Sequence, residues 1–452
     1  MGLDVTGGAG GVGAALEDLS AAAVRLAETA GDLFEVAGAL WRAGVAADLV
    51  TVALTCPVDA GRVAMELAEL AGPTGLVADA GALVALAAGV RSAVAAYAAG
   101  EEAVVVLVES AQDAAVLALS RHAVVLTAGV LAAERAGVDV AAATNRLLFS
   151  APWLADLAGG VEGVVAGPAS PLDYEDGLAL LATAGASRGW LTEAGHELQV
   201  TAVVPGGRGA APQSLADLVA AQEDLQTEGE PDRVRVVQVP QADGSSAWVV
   251  VVPGTQEWSP RAGPNPSDAT TDVLLMAQRD TQLAAGVERA LRLAQQDAGR
   301  GGLGDPVLLA GHSQGGIVAA ALAAEPGFRR RQRVTHVVAS GAPIARLPVP
   351  EEVSVLALEH RQDAVPRLEG EPNVDRRGWV TVTRDLRGSE VLSAGASHAS
   401  ARYRETAAQV DASRSASVVQ WRLRAAPFLA GDAHGTATVR DYRLTRAGPG
   451  PS

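Results

Sequence analysis

Two textures of apolar and polar positions divide the chain. From residue 13 to about 160, Ala, Leu and Val dominate, acids and arginines recur at helical spacing, and Cys56-Pro57, Gly72-Pro73 and Gly137 punctuate the run. That pattern predicts several helices packed as a bundle, with alanine easing their close approach. Residues 161–172 turn to Gly, Pro, Ser and Val and read as a linker. Beyond it, short Val-rich runs alternate with helical segments. Glu197–Val204 predicts a first strand, and Val234–Val239, Asp243-Gly244 and Ala247–Val252 predict a hairpin. One helix is expected over Thr271–Gln296. Strands are expected at Val307–Ala310, Val334–Ala339, Val353–Glu359 and Trp379–Thr383, with helices from about His398 onward. The alternation predicts an α/β fold over residues 173–452, a mainly parallel sheet with helices on both faces, preceded by an all-α helical bundle in residues 1–160.

Composition narrows the chemistry. With 452 residues, 49% of them hydrophobic and 19% charged, the chain has room for two or three globular domains. All 35 basic residues are arginine, a bias that suggests a high-GC bacterial genome. With no lysine there is no P-loop lysine, no Schiff base and no Ser/Lys dyad. A formal net charge of -17 argues against a nucleic-acid partner and fits a soluble acidic protein. The single Cys56 excludes a disulfide within the chain and reads as a small buried hydrophobe. Met1–Gly8 has neither the basic nor the apolar region of a signal peptide. Leu76–Ala99 and Ala103–Leu119 are interrupted by Asp79, Arg91, Glu109 and Asp113. They read as bundle helices, so no transmembrane segment is expected.

Gly311-His312-Ser313-Gln314-Gly315-Gly316 follows the apolar run Val307–Ala310 and precedes Ile317–Leu322. A strand, a sharp turn and a helix with serine at the apex make a nucleophile elbow, in which glycines let strand and helix pass close together. The same spacing recurs at Gly185-Ala186-Ser187-Arg188-Gly189, but no strand enters that turn, so Ser313 is the candidate. A serine hydroxyl needs a histidine to take its proton, and the histidine needs an acid to orient it. In the α/β-hydrolase arrangement the order is Ser, acid, His. Asp363 lies just past the strand Val353–Glu359, where active-site groups of open sheets gather. Downstream histidines are His336, His360, His398 and His434. His336 lies within a strand, and His360 is placed to shape the Asp363 loop. His398, after the last predicted strand and a loop of small residues, is the favoured base over His434. For the oxyanion, the backbone N–H of Gln314 opens the elbow helix, and Thr255 follows the strand Val249–Val252 through Pro253-Gly254.

Pro253-Gly254-Thr255-Gln256, the elbow, Asp363-Ala364-Val365-Pro366, and His398 with Tyr403 behind it resemble the fungal-lipase-like (class 3 lipase) branch of the α/β-hydrolases, over about residues 230–410. The resemblance implies an oxyanion role for Thr255 and a triad role for Asp363. Glu257–Thr271, with Trp258-Ser259-Pro260 and Pro264-Asn265-Pro266, is unlike that family's helical lid, which leaves a simpler esterase beside a lipase. The N-terminal helices resemble WXG-type proteins of actinobacterial type VII secretion. Tyr97-Ala98-Ala99-Gly100-Glu101 fits the Tyr-x-x-x-Glu pattern, while Trp41-Arg42-Ala43-Gly44 is one residue longer than Trp-x-Gly.

The expected activity is hydrolysis of small-molecule or lipid carboxylic esters by Ser313, His398 and Asp363, with Thr255 and Gln314 at the oxyanion and no cofactor or metal. A thioesterase or acyltransferase shares that mechanism. In the remaining alternative the helical bundle is a secretion or partner-binding module with a helical protein partner, and the hydrolase domain is passive. A cytoplasmic location is expected, with type VII-like export as the alternative.

Overall fold

The computed structural model describes residues 2–121, 155, 173–227, 232–301, 304–387, 393–429 and 436–447. Two compact units are distinguished, one of residues 12–105, the other of residues 1–11 with 106–452. The expected linker, 161–172, lies outside the described residues.

The first unit is helical: α1 (Val12–Gly44), α2 (Ala47–Ala53), α3 (Pro57–Ala71) and the start of α4 (Leu76–Arg121). Among its described residues the buried ones are alanines, apart from Gly72. Ala23, Ala30 and Ala37 recur every seven positions on α1, as do Ala80 and Ala87 on α4. A seven-residue spacing keeps one stripe of a helix in register, and methyl side chains let a neighbour approach closely. The larger apolar residues Leu19, Phe34, Trp41, Leu54, Met65 and Leu86 are exposed. Cys56 is exposed as well, contrary to its expected burial, because it stands before Pro57 at the mouth of α3. Two stretches, Val12–Ala53 and Pro57–Ala99, are long and apolar enough to cross a membrane. Length and composition therefore leave the expected absence of a transmembrane segment unconfirmed.

The second unit is built on a nine-stranded sheet. Its strands are β1 (Leu3–Gly7), β2 (Glu197–Ala210), β3 (Arg233–Pro240), β4 (Ser246–Val252), β5 (Pro306–His312), β6 (Arg333–Ser340), β7 (Ser354–His360), β8 (Trp379–Arg384) and β9 (Thr436–Ala447). They lie in the order β1-β8-β7-β6-β5-β4-β3-β9-β2. Strands β4 to β8 run parallel, while β1, β3, β9 and β2 join antiparallel at the flanks. The fold is thus α/β, with a mixed sheet whose centre is parallel. Every residue of β4 is buried, as a strand covered on both faces requires. Alternate residues serve opposite layers. Val250 and Val252 pack with α8 (Gln282–Asp297) and α9 (Gln314–Ala324). Val249 and Val251 pack with α6 (Leu215–Thr227), α12 (Ser400–Asp411) and α13 (Ala416–Leu429).

Three expectations are corrected. Residues 3–7 are not part of a helical region 1–160, because they pair with β8 from Leu3 opposite Arg384 to Gly7 opposite Val380. The helix expected over Thr271–Gln296 is two, α7 (Ala269–Met276) and α8. The chain breaks at Gln278, with φ 50°, and Thr281 restarts it by accepting the Ala284 N–H on its side chain. The first predicted strand continues past Val204 to Ala210 by shifting register around Pro205-Gly206-Gly207.

Candidate active site

The apolar strand β5 runs into Ser313 and the chain reverses at once into α9. Ser313 holds φ 53° and ψ -125°, a conformation that strains any residue with a Cβ by about 1–3 kcal/mol. Its N–H donates to the Ser340 carbonyl at 2.9 Å, which ties the turn to the end of β6. The glycines are required by close approach. A Cβ on Gly311 would lie 2.0 Å from the Gly315 carbonyl carbon, and one on Gly315 would lie 2.2 Å from the Val252 carbonyl oxygen. Helix α9 thereby sits directly against the ends of β5 and β4.

Ser313 lines a cavity of about 690 Å3 together with Gln226, Thr255, Gln256, Trp258 and His398. Behind His398 stands Asp363, fully buried, with its Oδ2 accepting from His398 Nδ1 at 2.7 Å. The same Oδ2 accepts from the Tyr403 hydroxyl at 2.7 Å, and Oδ1 accepts from the Val365 N–H at 2.9 Å. Burial alone would push the Asp363 carboxyl up. Attraction to His398 and these three hydrogen bonds outweigh it and hold the group below the ordinary carboxylate range. With Nδ1 donating to Asp363, Nε2 is the ring nitrogen left outside that bond. No hydrogen bond joins the Ser313 hydroxyl to His398 among the described residues. Such contacts are often long in free enzymes and tighten around substrate.

Thr255 and Gln314 flank the serine from two elements. Gln314 opens α9, and the first N–H groups of a helix have no acceptor within it. Its side chain turns away, donating to the Asp268 carbonyl at 2.7 Å. The Thr255 hydroxyl donates to Asp272 Oδ2 at 2.9 Å. Burial pushes the Asp272 carboxyl up to about 6, against the hydrogen bonds from Thr255 and Gln314. Thr255 thus lines the cavity while its hydroxyl is held by Asp272.

The other candidates sit elsewhere or serve the framework. The Ser187 hydroxyl is exposed and donates to Ala184 at the end of α5 (Tyr174–Ala186). His336 is buried edge-on to Trp421 and Phe428, and burial pushes it down to about 4. His360 stacks on Tyr403 at 3.9 Å, hydrogen-bonds Ser397 and Thr406, and is likewise pushed down to about 4 by burial. His434 lies outside the described residues. Two residues at the site escaped sequence reasoning. Asp272 comes from the start of α7, and Gln226 reaches the cavity wall from the end of α6. Comparison with known proteins finds no family model, no curated protein and no solved structure that matches this chain.

Proposed function

We propose that the sheet unit is a serine hydrolase of the α/β-hydrolase type that cleaves carboxylic esters. One observation carries the reading: His398, fastened through Nδ1 to a buried Asp363, lines the same cavity as a serine held at a strained strand-to-helix turn. In this reading Ser313 Oγ attacks the acyl carbon as its proton passes to His398 Nε2, and Asp363 stabilises the imidazolium that results. The carbonyl π electrons move to the oxygen, and the N–H groups of Gln314 and Thr255 receive that oxyanion. Collapse expels the alcohol, which takes the proton from His398. Water then repeats the sequence on the acyl-enzyme, releasing the acid and restoring Ser313.

The segment that brings Trp258 to the cavity favours an esterase rather than an interfacial lipase. Residues 257–268 form no helix and are pinned at several points. Ser267 O accepts the N–H groups of Gln256 and Glu257 at 2.8 and 3.1 Å, and the Asn265 amide donates to Gln256 at 2.8 Å. Fully buried Arg446 donates to Asp268 at 2.5 Å and also to Glu193. A segment fixed in this way differs from a hinged helical lid.

The test is fluorophosphonate labelling beside turnover of a short-chain p-nitrophenyl ester. Ser313→Ala is expected to lose all labelling and on the order of 10⁶ in turnover, while Ser187→Ala matches the wild type. Labelling that survives Ser313→Ala would reject the assignment.

A further inference from the structure

His398 is bonded from two sides, and only the Asp363 side belongs to the proposed triad. Its backbone carbonyl lies 2.8 Å from His312 Nε2. A carbonyl oxygen can only accept, so His312 carries its proton on Nε2. His312 is neutral, since burial and the neighbouring His398 push it down to about 3. Its Nδ1 is therefore a bare lone pair that needs a donor. Gln226 Nε2 stands 3.2 Å away. With the amide nitrogen committed to His312, the amide oxygen accepts from the Ser400 hydroxyl, which itself lies 3.5 Å from His312 Nδ1.

Every bond of this chain runs in one sense: Ser400 to Gln226, Gln226 to His312, His312 to the His398 carbonyl. It leaves the 398–400 segment at Ser400 and returns to it at His398. Between those points it passes through the end of α6 and the residue that precedes the nucleophile. Gly254 makes the room, because a Cβ there would lie 2.4 Å from Gln226 Nε2 and 3.2 Å from Ser313 Cβ. The His312 and His398 rings sit 4.6 Å apart between centroids.

We propose that His312, Gln226 and Ser400 form a one-way hydrogen-bond clasp that positions His398 against Ser313, and that its polarity is dictated by the His398 carbonyl. These are positioning residues, since they act through His398. The proposal rests on reading Ser313 and His398 as nucleophile and base. Displacing a base by about 1 Å lowers turnover on the order of 10²-fold without loosening substrate binding.

Accordingly, His312→Phe, which keeps a ring and deletes both nitrogens, is expected to lower kcat by about 10² with KM within about twofold of wild type. His312→Gln places an amide donor near the Nε2 position and should restore kcat to within about tenfold. Gln226→Leu and Ser400→Ala, at residues that also line the cavity, should lower kcat by more than they raise KM, and they carry the test if His312→Phe does not fold. Wild-type kcat in the Phe and Leu variants, or a Gln variant no better than Phe, overturns the clasp. Imidazole 15N spectra of full-length protein read it independently of turnover. In wild type at pH 7, His312 should be neutral and protonated on Nε2, whereas Gln226→Glu should convert it to imidazolium. A wild-type His312 protonated on Nδ1 overturns the proposal even if Ser313 is labelled. Failure of the esterase reading shows separately, as wild type that takes no fluorophosphonate.

Discussion

Asp363 Oδ2 receives two donors in a site closed to water, the His398 ring and the Tyr403 hydroxyl. Tyr403 itself is fully buried and stacked on His360, and burial with the adjacent carboxylate raises its pKa well above the ordinary value, so it remains a donor. A hydrogen bond to a charged group is worth about 1.5–3 kcal/mol. Tyr403→Phe is therefore expected to destabilise the fold by roughly that amount in urea titration. If His398 is the base proposed above, it should also lower kcat by about tenfold, the effect of about 1.4 kcal/mol lost in orienting that ring. A variant as active and as stable as wild type would show that the second donor is idle. At this scale the sequence was readable where chemistry is local. The elbow's glycines, its strand and its helix all lie within about twenty positions, and Asp363 and His398 follow strand ends in order. Asp272 and Gln226 were not readable. Thr255 finds Asp272 only because α7 begins beneath it, and Gln226 meets His312 across 86 positions with no shared periodicity.

Among the elements, the strap 257–268 depends on one side chain from a strand that was not foreseen. Arg446 lies on β9, which is inserted between β3 and β2, and its guanidinium faces Asp268 with both groups fully buried. Breaking a buried pair from one side strands the other charge and costs about 3–5 kcal/mol. Arg446→Met is thus predicted to lower stability by about that much and to speed hydrogen exchange across residues 256–268 before other segments of the sheet unit. Uniform exchange in the variant would mean that the strap is held by its own loop bonds. The central strands were legible because continuous Val-rich runs have few other readings. The flanks were not: β1 is five residues ending in glycine, and β9 is broken by arginines that read as a solvated stretch. The α7–α8 break was hidden because apolar periodicity continues across it, and the Thr281 cap is a small signal within that run.

For the molecule as a whole, buried titratable groups set the pH dependence of stability. Burial pushes Glu359 up to about 7 and Glu369 up to about 8, so the folded state keeps protons that an unfolded chain releases near 4.5. Their contribution is complete below about 4.5 and is lost as pH rises through 7 and 8. His312, His336 and His360 act oppositely. They are neutral when folded and titrate near 6.5 when unfolded, so their contribution rises with pH and is complete above about 6.5. Between pH 6.5 and 8.5 only the glutamates remain, and the melting temperature is predicted to fall across that interval. Glu369→Gln should flatten the fall; an equally steep decline in the variant would place the cause elsewhere.

Since Leu3–Gly7 closes the sheet at β8, the alanine-rich helices are a detour inside the α/β unit and not a prefix to it. Splicing Gly11 onward across the detour would keep the outer border intact. Deleting residues 1–11 together with the helices would instead leave a row of backbone amides and carbonyls along β8 unpaired, ready to recruit any foreign strand. Residues 3–7 thus guard the far margin of a sheet whose other strands all lie beyond the alanine-rich helices in sequence.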